Sequence, residues 1–392
     1  MALFDGVKVV DFTHAYAGTF CTMNLADFGA EVIKIERIDG GDQARGWGPF
    51  KNDYSAYYAS FNRGKKSITL NIASKEGQKV VWDLIKDADI LCSNFKAGTL
   101  EKYGFSYEEV RKVKPDIIYA ALSGFGTSGE LSAYAAYDNV IQAMSGIMDL
   151  NGFPDKTPTK IGPAIGDSYS GLMLMTGLLL AYYQKMLTGK GQKIDGTMLG
   201  SLYTMLEFPV LEYANLGKCR TRSGNSSPYY APGDCYPTKE GYLALSVKND
   251  NMWDEFCTAF CVDWNKEKKF VTNKVRMEHR EELDEKIGQL FSEYTAKELE
   301  KKLIRTQIPA AAVMGIEEAL EDPHLKEREM VITVKDPVIG DLKLAGNAIH
   351  LSENAPNVSV PSPTLGEHTN EILKALNYSE EKIAKLRSNG IV

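Results

Sequence analysis

Short apolar runs alternate with helical spacing through the first two hundred residues. Val7-Lys8-Val9-Val10-Asp11-Phe12 is β-rich and predicts a strand. Over 17–28, Phe20, Met23, Leu25 and Phe28 can share one face, so a helix is expected, with Gly29 as its C-cap. Glu31-Val32-Ile33-Lys34-Ile35-Glu36 predicts a second strand, and strand, helix and strand in that order imply parallel pairing. The alternation continues, with strands expected over 67–72, 89–93 and 117–122 and helices over 74–88, 107–113 and 137–145. The most apolar run, Leu172 to Tyr183, predicts a buried helix too short to span a bilayer. A strand over 193–196 and a long mixed helix over 197–216, containing Pro209, follow.

Beyond about residue 217 the texture changes. The stretch 220–234 is rich in Ser, Gly, Asn, Pro and Tyr and reads as a linker or loop. Strands over 242–247 and 308–313 flank helices over 252–260 and within the highly charged 276–306, which places a smaller domain at about 225–330. Strands over 331–351 and helices over 371–388 end the chain. A length of 392 residues also favours two domains. The fold class is therefore α/β.

Composition excludes more than it identifies. A net charge of −7 argues against general nucleic-acid binding but leaves room for a local basic pocket. Ala2-Leu3-Phe4-Asp5 leads straight into a strand with no secretory pattern, and no membrane span is visible, so a cytoplasmic protein is expected. Six scattered cysteines form no disulfide framework and no metal motif; reduced core thiols and no metal are the expectation.

A dinucleotide fold would place G-x-G-x-x-G in the first turn. Here Thr13-His14-Ala15-Tyr16-Ala17-Gly18 carries one glycine, which disfavours NAD. Glu36 stands where a ribose-binding acid would, but Arg37 follows it and suits a phosphate better. Parallel sheets bind ligands beyond their carboxyl ends. Thr13-His14, Arg37, Asn94-Phe95 and Ser123-Gly124 would gather there. The Gly-rich 39–49 segment is a ligand-facing or a plain surface loop. Arg63-Gly64-Lys65-Lys66 is a solvated charge run or a phosphate cradle.

Gly162-Pro163-Ala164-Ile165-Gly166-Asp167-Ser168-Tyr169-Ser170-Gly171 opens the apolar helix. Asp167 falls at or just before its first turn, where the ordinary role is an N-cap. The small residues around it would also let a ligand approach closely.

In this order and spacing, these segments resemble the class III coenzyme A transferases, the family of formyl-CoA transferase and carnitine CoA-transferase. The resemblance runs nearly end to end. It is carried by Val10-Asp11-Phe12-Thr13-His14, Gly29-Ala30-Glu31-Val32-Ile33-Lys34-Ile35-Glu36, Gly41-Asp42-Gln43-Ala44-Arg45-Gly46-Trp47, Asn94-Phe95-Lys96-Ala97-Gly98-Thr99-Leu100, the Asp167 stretch and Leu365-Gly366-Glu367-His368-Thr369. Tyr229 to Tyr236 is more similar to the carnitine branch. The glycine run of the formyl-CoA enzymes is absent, and Tyr16 stands where they carry Gln.

The resemblance implies a Rossmann-like large domain (1–216), a linker and small α+β domain (217–330) and a C-terminal return (331–392), in an interlocked, ring-like homodimer. It implies transfer of coenzyme A from an acyl-CoA donor to a small carboxylic acid, with CoA as substrate and no permanently bound cofactor. Asp167 takes the place of the nucleophilic aspartate. Arg37, Leu70, Ala73, Asn94, Phe95 and Lys96 match the coenzyme's adenine and phosphate contacts. Lys102 replaces an arginine, and Ala135 a lysine. His14, Tyr16 and Ala17 fall beside the pantetheine thiol; His14 reads equally well as a structural histidine. Tyr137 and Asp138 are implied as further coenzyme-binding positions, Asp138 near the nucleophile as a supporting acid or a helix N-cap. Tyr16, Trp47, Tyr137, Tyr169 and the 225–236 loop make an aromatic neighbourhood for a small organic acid or a quaternary ammonium acid. The nearest rival of this fold, an α-methylacyl-CoA racemase, needs a His in the motif that here reads Ala136-Tyr137-Asp138. A non-catalytic CoA-binding protein is the other alternative.

Overall fold

The computed structural model describes residues 2–392, which divide into two compact units. The first comprises the chain up to Ile147, Lys160–Leu211 and Pro323–Val392; the second comprises Met148–Thr159 and Glu212–Asp322.

The first unit is built on six parallel strands: β1 (Lys8–Asp11), β2 (Glu31–Glu36), β3 (Lys66–Thr69), β4 (Ile90–Ser93), β5 (Ile118–Ser123) and β6 (Lys193–Thr197). Their order is β3-β2-β1-β4-β5-β6, the doubly wound dinucleotide-fold order. The order reverses between β1 and β4, so a crevice opens beyond their carboxyl ends. Val9, Val10, Ile90, Leu91 and Cys92 are all buried, as expected of strands covered on both faces. Helix α1 (Ala17–Asp27) links β1 to β2, and α2 (Lys75–Lys86) turns Val80, Val81, Leu84 and Ile85 into the core. Ser74 caps α2, its hydroxyl accepting the Gly77 N–H at 2.9 Å. The C-terminal return belongs to this core through Ile372, Leu373, Ile383 and Leu386. Ser67 on β3 anchors it, accepting N–H bonds from Gly366 and His368, each at 2.9 Å.

Four expectations change. The 172–183 segment is not a buried helix but part of the longer α4, preceded by α3 (Asp138–Ser145) and running Ile165–Thr188. Leu174, Met175 and Leu178 face the core, while Leu180, Tyr183, Met186 and Leu187 are each about two-thirds exposed. Its apolar residues encircle the helix, and one chain covers only one side. The expected helix over 197–216 breaks at Met205-Leu206 into α5 (Met198–Thr204) and α6 (Glu207–Leu216). Pro209 is the third residue of α6, within the first turn, where its missing N–H costs no hydrogen bond. Third, Arg63 and Lys65 are buried, not solvated. Arg63 forms a two-pronged pair with Asp27 at 2.9 and 2.7 Å, and Lys65 reaches Asp11 at 3.1 Å. Lys66 bridges Glu31 and Glu371, each at 2.8 Å. None of the three is left for a phosphate. Cys219 and Cys261 are exposed and so are not core thiols.

The second unit packs an antiparallel sheet of β7 (Gly233–Pro237), β8 (Tyr242–Ser246) and β9 (Ala310–Ala312) against helices. Trp253 stacks on Phe256 in its core, with ring centres 5.3 Å apart. The 220–234 stretch is a braced loop rather than a loose linker. Arg276, fully buried, donates to the Ala231 carbonyl at 2.6 Å and pairs with Asp250 at 2.8 Å; Arg280 donates to the carbonyls of Ser227 and Tyr230. No helix among the described residues is long and apolar enough to cross a membrane. No cluster of three or more His, Cys, Asp or Glu among them suits a metal ion.

Candidate active site

The crevice at the β1/β4 reversal holds a cavity of about 460 Å³. Phe12, Thr13 and His14 enter it from β1, Lys34 to Arg37 from β2, and Phe95, Lys96 and Thr99 from β4. A second cavity of about 420 Å³ is lined by Arg37, Leu70, Asn71, Ala73 and Tyr103. Arg37 borders both. Its guanidinium is exposed and makes only long bonds, 3.4 and 3.5 Å, to the Gly41 carbonyl, which leaves it available to a polyanion. Lys96 is exposed at the rim. Lys102 is exposed too and lines neither cavity, although its neighbour Tyr103 does.

The chain leaving β1 is held at almost every backbone group. The Thr13 N–H donates to Asp11 at 2.8 Å, and Lys34 Nζ donates to the Thr13 carbonyl at 2.5 Å. Asn94 takes the His14 N–H and donates to the His14 carbonyl, both at 2.8 Å. Its amide group thus serves the loop. Asp42 accepts the Ala15 N–H at 3.0 Å, and the Thr19 hydroxyl donates to the carbonyls of Ala15 and Tyr16 at 2.9 and 2.7 Å. Ala15 is left-handed, with φ of 61°. The His14 ring lies on Phe95, with centres 4.9 Å apart. Burial lowers its pKa, aided by Lys34 and Arg37 and opposed by Asp42 and Asp11, so the imidazole is neutral at pH 7.

This loop delivers Tyr16 and Ala17 to Asp167. Gly171 permits the approach of α1 and α4: a Cβ there would lie 2.5 Å from the Ala17 carbonyl oxygen. Asp167 is the third residue of α4 and does not cap it; the N-cap is Ala164, which has no side-chain bond. Asp138 caps α4 instead. Its Oδ1 accepts the Gly166 N–H at 2.7 Å, while Gln142 donates to its Oδ2 at 2.8 Å. Two carboxylates therefore meet at one helix start. Burial, and after it the Asp138 charge, push the Asp167 carboxyl up to about 7 against a hydrogen bond from the Ala17 N–H. The helix N-terminus favours the anion by about 1 kcal/mol. A rise from 4 to 7 corresponds to roughly 4 kcal/mol, so desolvation and the neighbouring charge win.

Tyr16 lies beside this pair. Its hydroxyl bonds Ser168, and its pKa is raised by burial and by the charges of Asp167 and Asp138. Its ring sits 4.0 Å from Phe61, and the aromatic row continues through Tyr57 to Trp47. Tyr169 is half-buried in the second turn of α4, and Tyr137 is exposed at the start of α3. The structure thus joins Tyr16, Ala17, Asp138 and Asp167 in one cluster, and His14, Arg37, Phe95 and Lys96 around one cavity. Sequence reasoning missed Asp42, Lys34 and Tyr57. Asp42 lay in a quoted motif, but nothing in the motif says that its carboxylate reaches Ala15. Tyr57 is one of two adjacent tyrosines, and spacing alone does not tell which one turns toward Asp167.

The sequence profile of CoA-transferase family III matches residues 4–369. Succinyl-CoA:mesaconate CoA-transferase of Haloarcula marismortui is 34% identical over 95% of this chain and 96% of its own. Succinyl-CoA--D-citramalate CoA-transferase of Chloroflexus aurantiacus is 34% identical over 99% and 98%. Among solved structures, a CaiB/BaiF family protein from Brucella suis superposes with a TM-score of 0.87 at 32% identity, over 96% of this chain and 99% of that one. The chain belongs to CoA-transferase family III and is a CoA-transferase.

Proposed function

We propose that the enzyme moves coenzyme A from an acyl-CoA thioester to a small carboxylic acid through covalent intermediates on Asp167. The observation that carries this is a half-buried carboxylate paired with no cation among the described residues and facing the N–H of Ala17, three residues after His14, which lines the cavity. The carboxylate attacks the donor thioester carbonyl, and the C–S bond breaks to give an acyl-aspartyl anhydride and CoA thiolate. The thiolate attacks the aspartyl carbonyl, releasing the donor's acid and leaving an aspartyl-CoA thioester. The acceptor carboxylate attacks that thioester, forming a second anhydride. Thiolate attack on its acyl carbonyl yields the new acyl-CoA and regenerates Asp167. Bonds of similar energy are exchanged, so no external energy source is required, and the covalent route divides the exchange into easier steps. Anhydrides hydrolyse, which suits a desolvated site.

Arg37 and Lys96 supply charge for the coenzyme's phosphates, with Leu70 and Ala73 as the adenine wall; Lys102 is a peripheral cation. Tyr16, Trp47 and Tyr169, with Tyr137, frame the acid. No permanently bound cofactor takes part in this scheme. The first, Rossmann-like unit carries this chemistry. The exposed apolar side of α4 supports an interlocked homodimer, because Leu180, Tyr183, Met186 and Leu187 then find cover. The reaction takes place in the cytoplasm. The substrates named for the two transferases point to succinyl-CoA as the first donor to try and C5 dicarboxylates as first acceptors.

The test is a panel of acyl-CoA donors against carboxylate acceptors, with hydroxylamine trapping and a search for a CoA adduct on Asp167. Transfer with an adduct on Asp167 is expected. Transfer without any adduct, or α-deuterium exchange in an acyl-CoA with no acceptor present, overturns the reading.

A further inference from the structure

Ala15 is a strained residue in a place where nothing local requires strain. It has a Cβ, yet φ is 61°, a region that favours glycine. The Thr19 hydroxyl holds its carbonyl from within the segment, and the hold on its N–H comes from outside it. Asp42 Oδ1 accepts the Ala15 N–H at 3.0 Å and the Ala44 N–H at 2.9 Å. Asp42 Oδ2 is 2.8 Å from Lys34 Nζ, and the same ammonium grips the Thr13 carbonyl at 2.5 Å. Both side chains are buried. One ion pair therefore clasps the loop on either side of His14. Two residues beyond the strained position, Ala17 starts α1 and directs its N–H at Asp167.

We propose that Asp42 is a positioning residue: backed by Lys34, it holds Ala15 left-handed and so aims Tyr16 and the Ala17 N–H at the nucleophile. The inference rests on Asp167 being that nucleophile. The charge gives Asp42 a hold that a neutral acceptor lacks, because an ionised acceptor bonds an amide about twice as strongly. Without it, Ala15 relaxes toward ordinary φ, and α1 begins with its first turn re-aimed. Asp42 also borders the coenzyme cavity, so the rival role is direct contact with substrate. The two roles differ in one respect: glycine at position 15 removes the strain but supplies no substrate contact.

The experiment is a cycle of Asp42→Ala, Ala15→Gly and the double variant, reading kcat and KM for acyl-CoA and the rate at which acyl-CoA labels Asp167. Asp42→Ala is expected to lower kcat and labelling by roughly five- to thirtyfold, the population ratio set by the left-handed penalty of a non-glycine residue. Ala15→Gly in that background should recover most of the loss. Asp42→Asn keeps the acceptor and the volume, and it carries the same cycle where Asp42→Ala does not fold; its loss should be smaller and equally recoverable. Failure of Ala15→Gly to recover activity in a folded Asp42 variant overturns the inference, as does a loss confined to KM. If wild-type enzyme forms no adduct on Asp167, the nucleophile assignment fails instead, and that is read independently of either variant.

Discussion

Carboxylates sit in two contrasting settings in the first unit. Asp11, Glu36 and Asp42 are buried around the carboxyl ends of β1 and β2, Asp27 is buried at the end of α1, and each has a cation: Lys65, Arg45, Lys34 and Arg63 in that order. Burial alone would raise Asp11, Glu36 and Asp42, yet the pairs keep all three below the ordinary carboxylate range, Asp42 at about 2. At the start of α4, Asp167 is less buried, has no lysine or arginine paired with it among the described residues, and rises to about 7. The difference lies in the partner rather than in the depth. A carboxylate that fixes geometry is saturated with donors. Asp167 keeps its lone pairs unshared except with the Ala17 N–H, as the proposed attack on a carbonyl requires. The cations divide in the same way: the inner ones are consumed by carboxylates, while Arg37 and Lys96 stay open at the cavity rim.

The contrast breaks most sharply at Asp167. Asp167→Ala should lower kcat by roughly a thousandfold or more, the loss expected when a covalent route disappears. Steady-state transfer assays check it, with intact-mass analysis showing no adduct. Near wild-type transfer would place Asp167 among the structural carboxylates. Asp27→Ala is the counterpart. It leaves Arg63 buried and uncompensated, so a loss of about 3–5 kcal/mol in unfolding free energy is expected by urea titration.

A third measurement sets the two groups against each other through pH. The folded Asp167 carboxyl binds its proton more tightly than the unfolded one. It therefore favours the folded state below the unfolded pKa of about 4, and that advantage is lost as pH rises through about 7. Asp167→Asn should therefore be more stable than wild type at pH 8, by roughly 2–4 kcal/mol, with the gap closing toward pH 5. Thermal melts across that range report it. For Asp11 the sign is reversed: its contribution is present above the unfolded pKa and fades as pH falls.

If Arg37 binds the coenzyme's phosphates as proposed, Arg37→Ala should raise KM for acyl-CoA about tenfold and leave kcat nearly unchanged, since a contact far from the reacting carbonyl holds ground state and transition state alike. The salt dependence of KM should flatten as well. A fall in kcat at constant KM would move Arg37 out of the coenzyme's phosphate site.

Much of this was legible beforehand. Short apolar runs located the parallel strands, which are buried on both faces, and helical spacing located α2, while the strand ends His14, Arg37 and Phe95 met where parallel topology gathers them. Burial that depends on distant partners was not legible. Arg63 and Lys65 read as a solvated run because Asp27 and Asp11 lie 36 and 54 residues away. The outer side of α4 read as core because apolar content does not tell which residues stay uncovered. Asp138 was visible as an acid before a helix, but the helix it caps is α4, 28 residues on, and not its own.

That cap yields the smallest effect and the finest test. Asp138 raises the Asp167 carboxyl, though less than burial does. Asp138→Asn keeps an acceptor for the Gly166 N–H, so α4 should start where it does now while the charge is lost. The rising limb of kcat/KM against pH, expected near 7 in wild type because attack needs the ionised carboxylate, should then shift down by about half to one unit. Activity at pH 6 should rise about two- to fivefold by the same shift. An unmoved limb would mean that burial alone sets the nucleophile's pKa and that Asp138 acts only as a cap. A limb moved upward would mean that Asp138 stabilises the Asp167 anion, which two like charges at one helix start do not do.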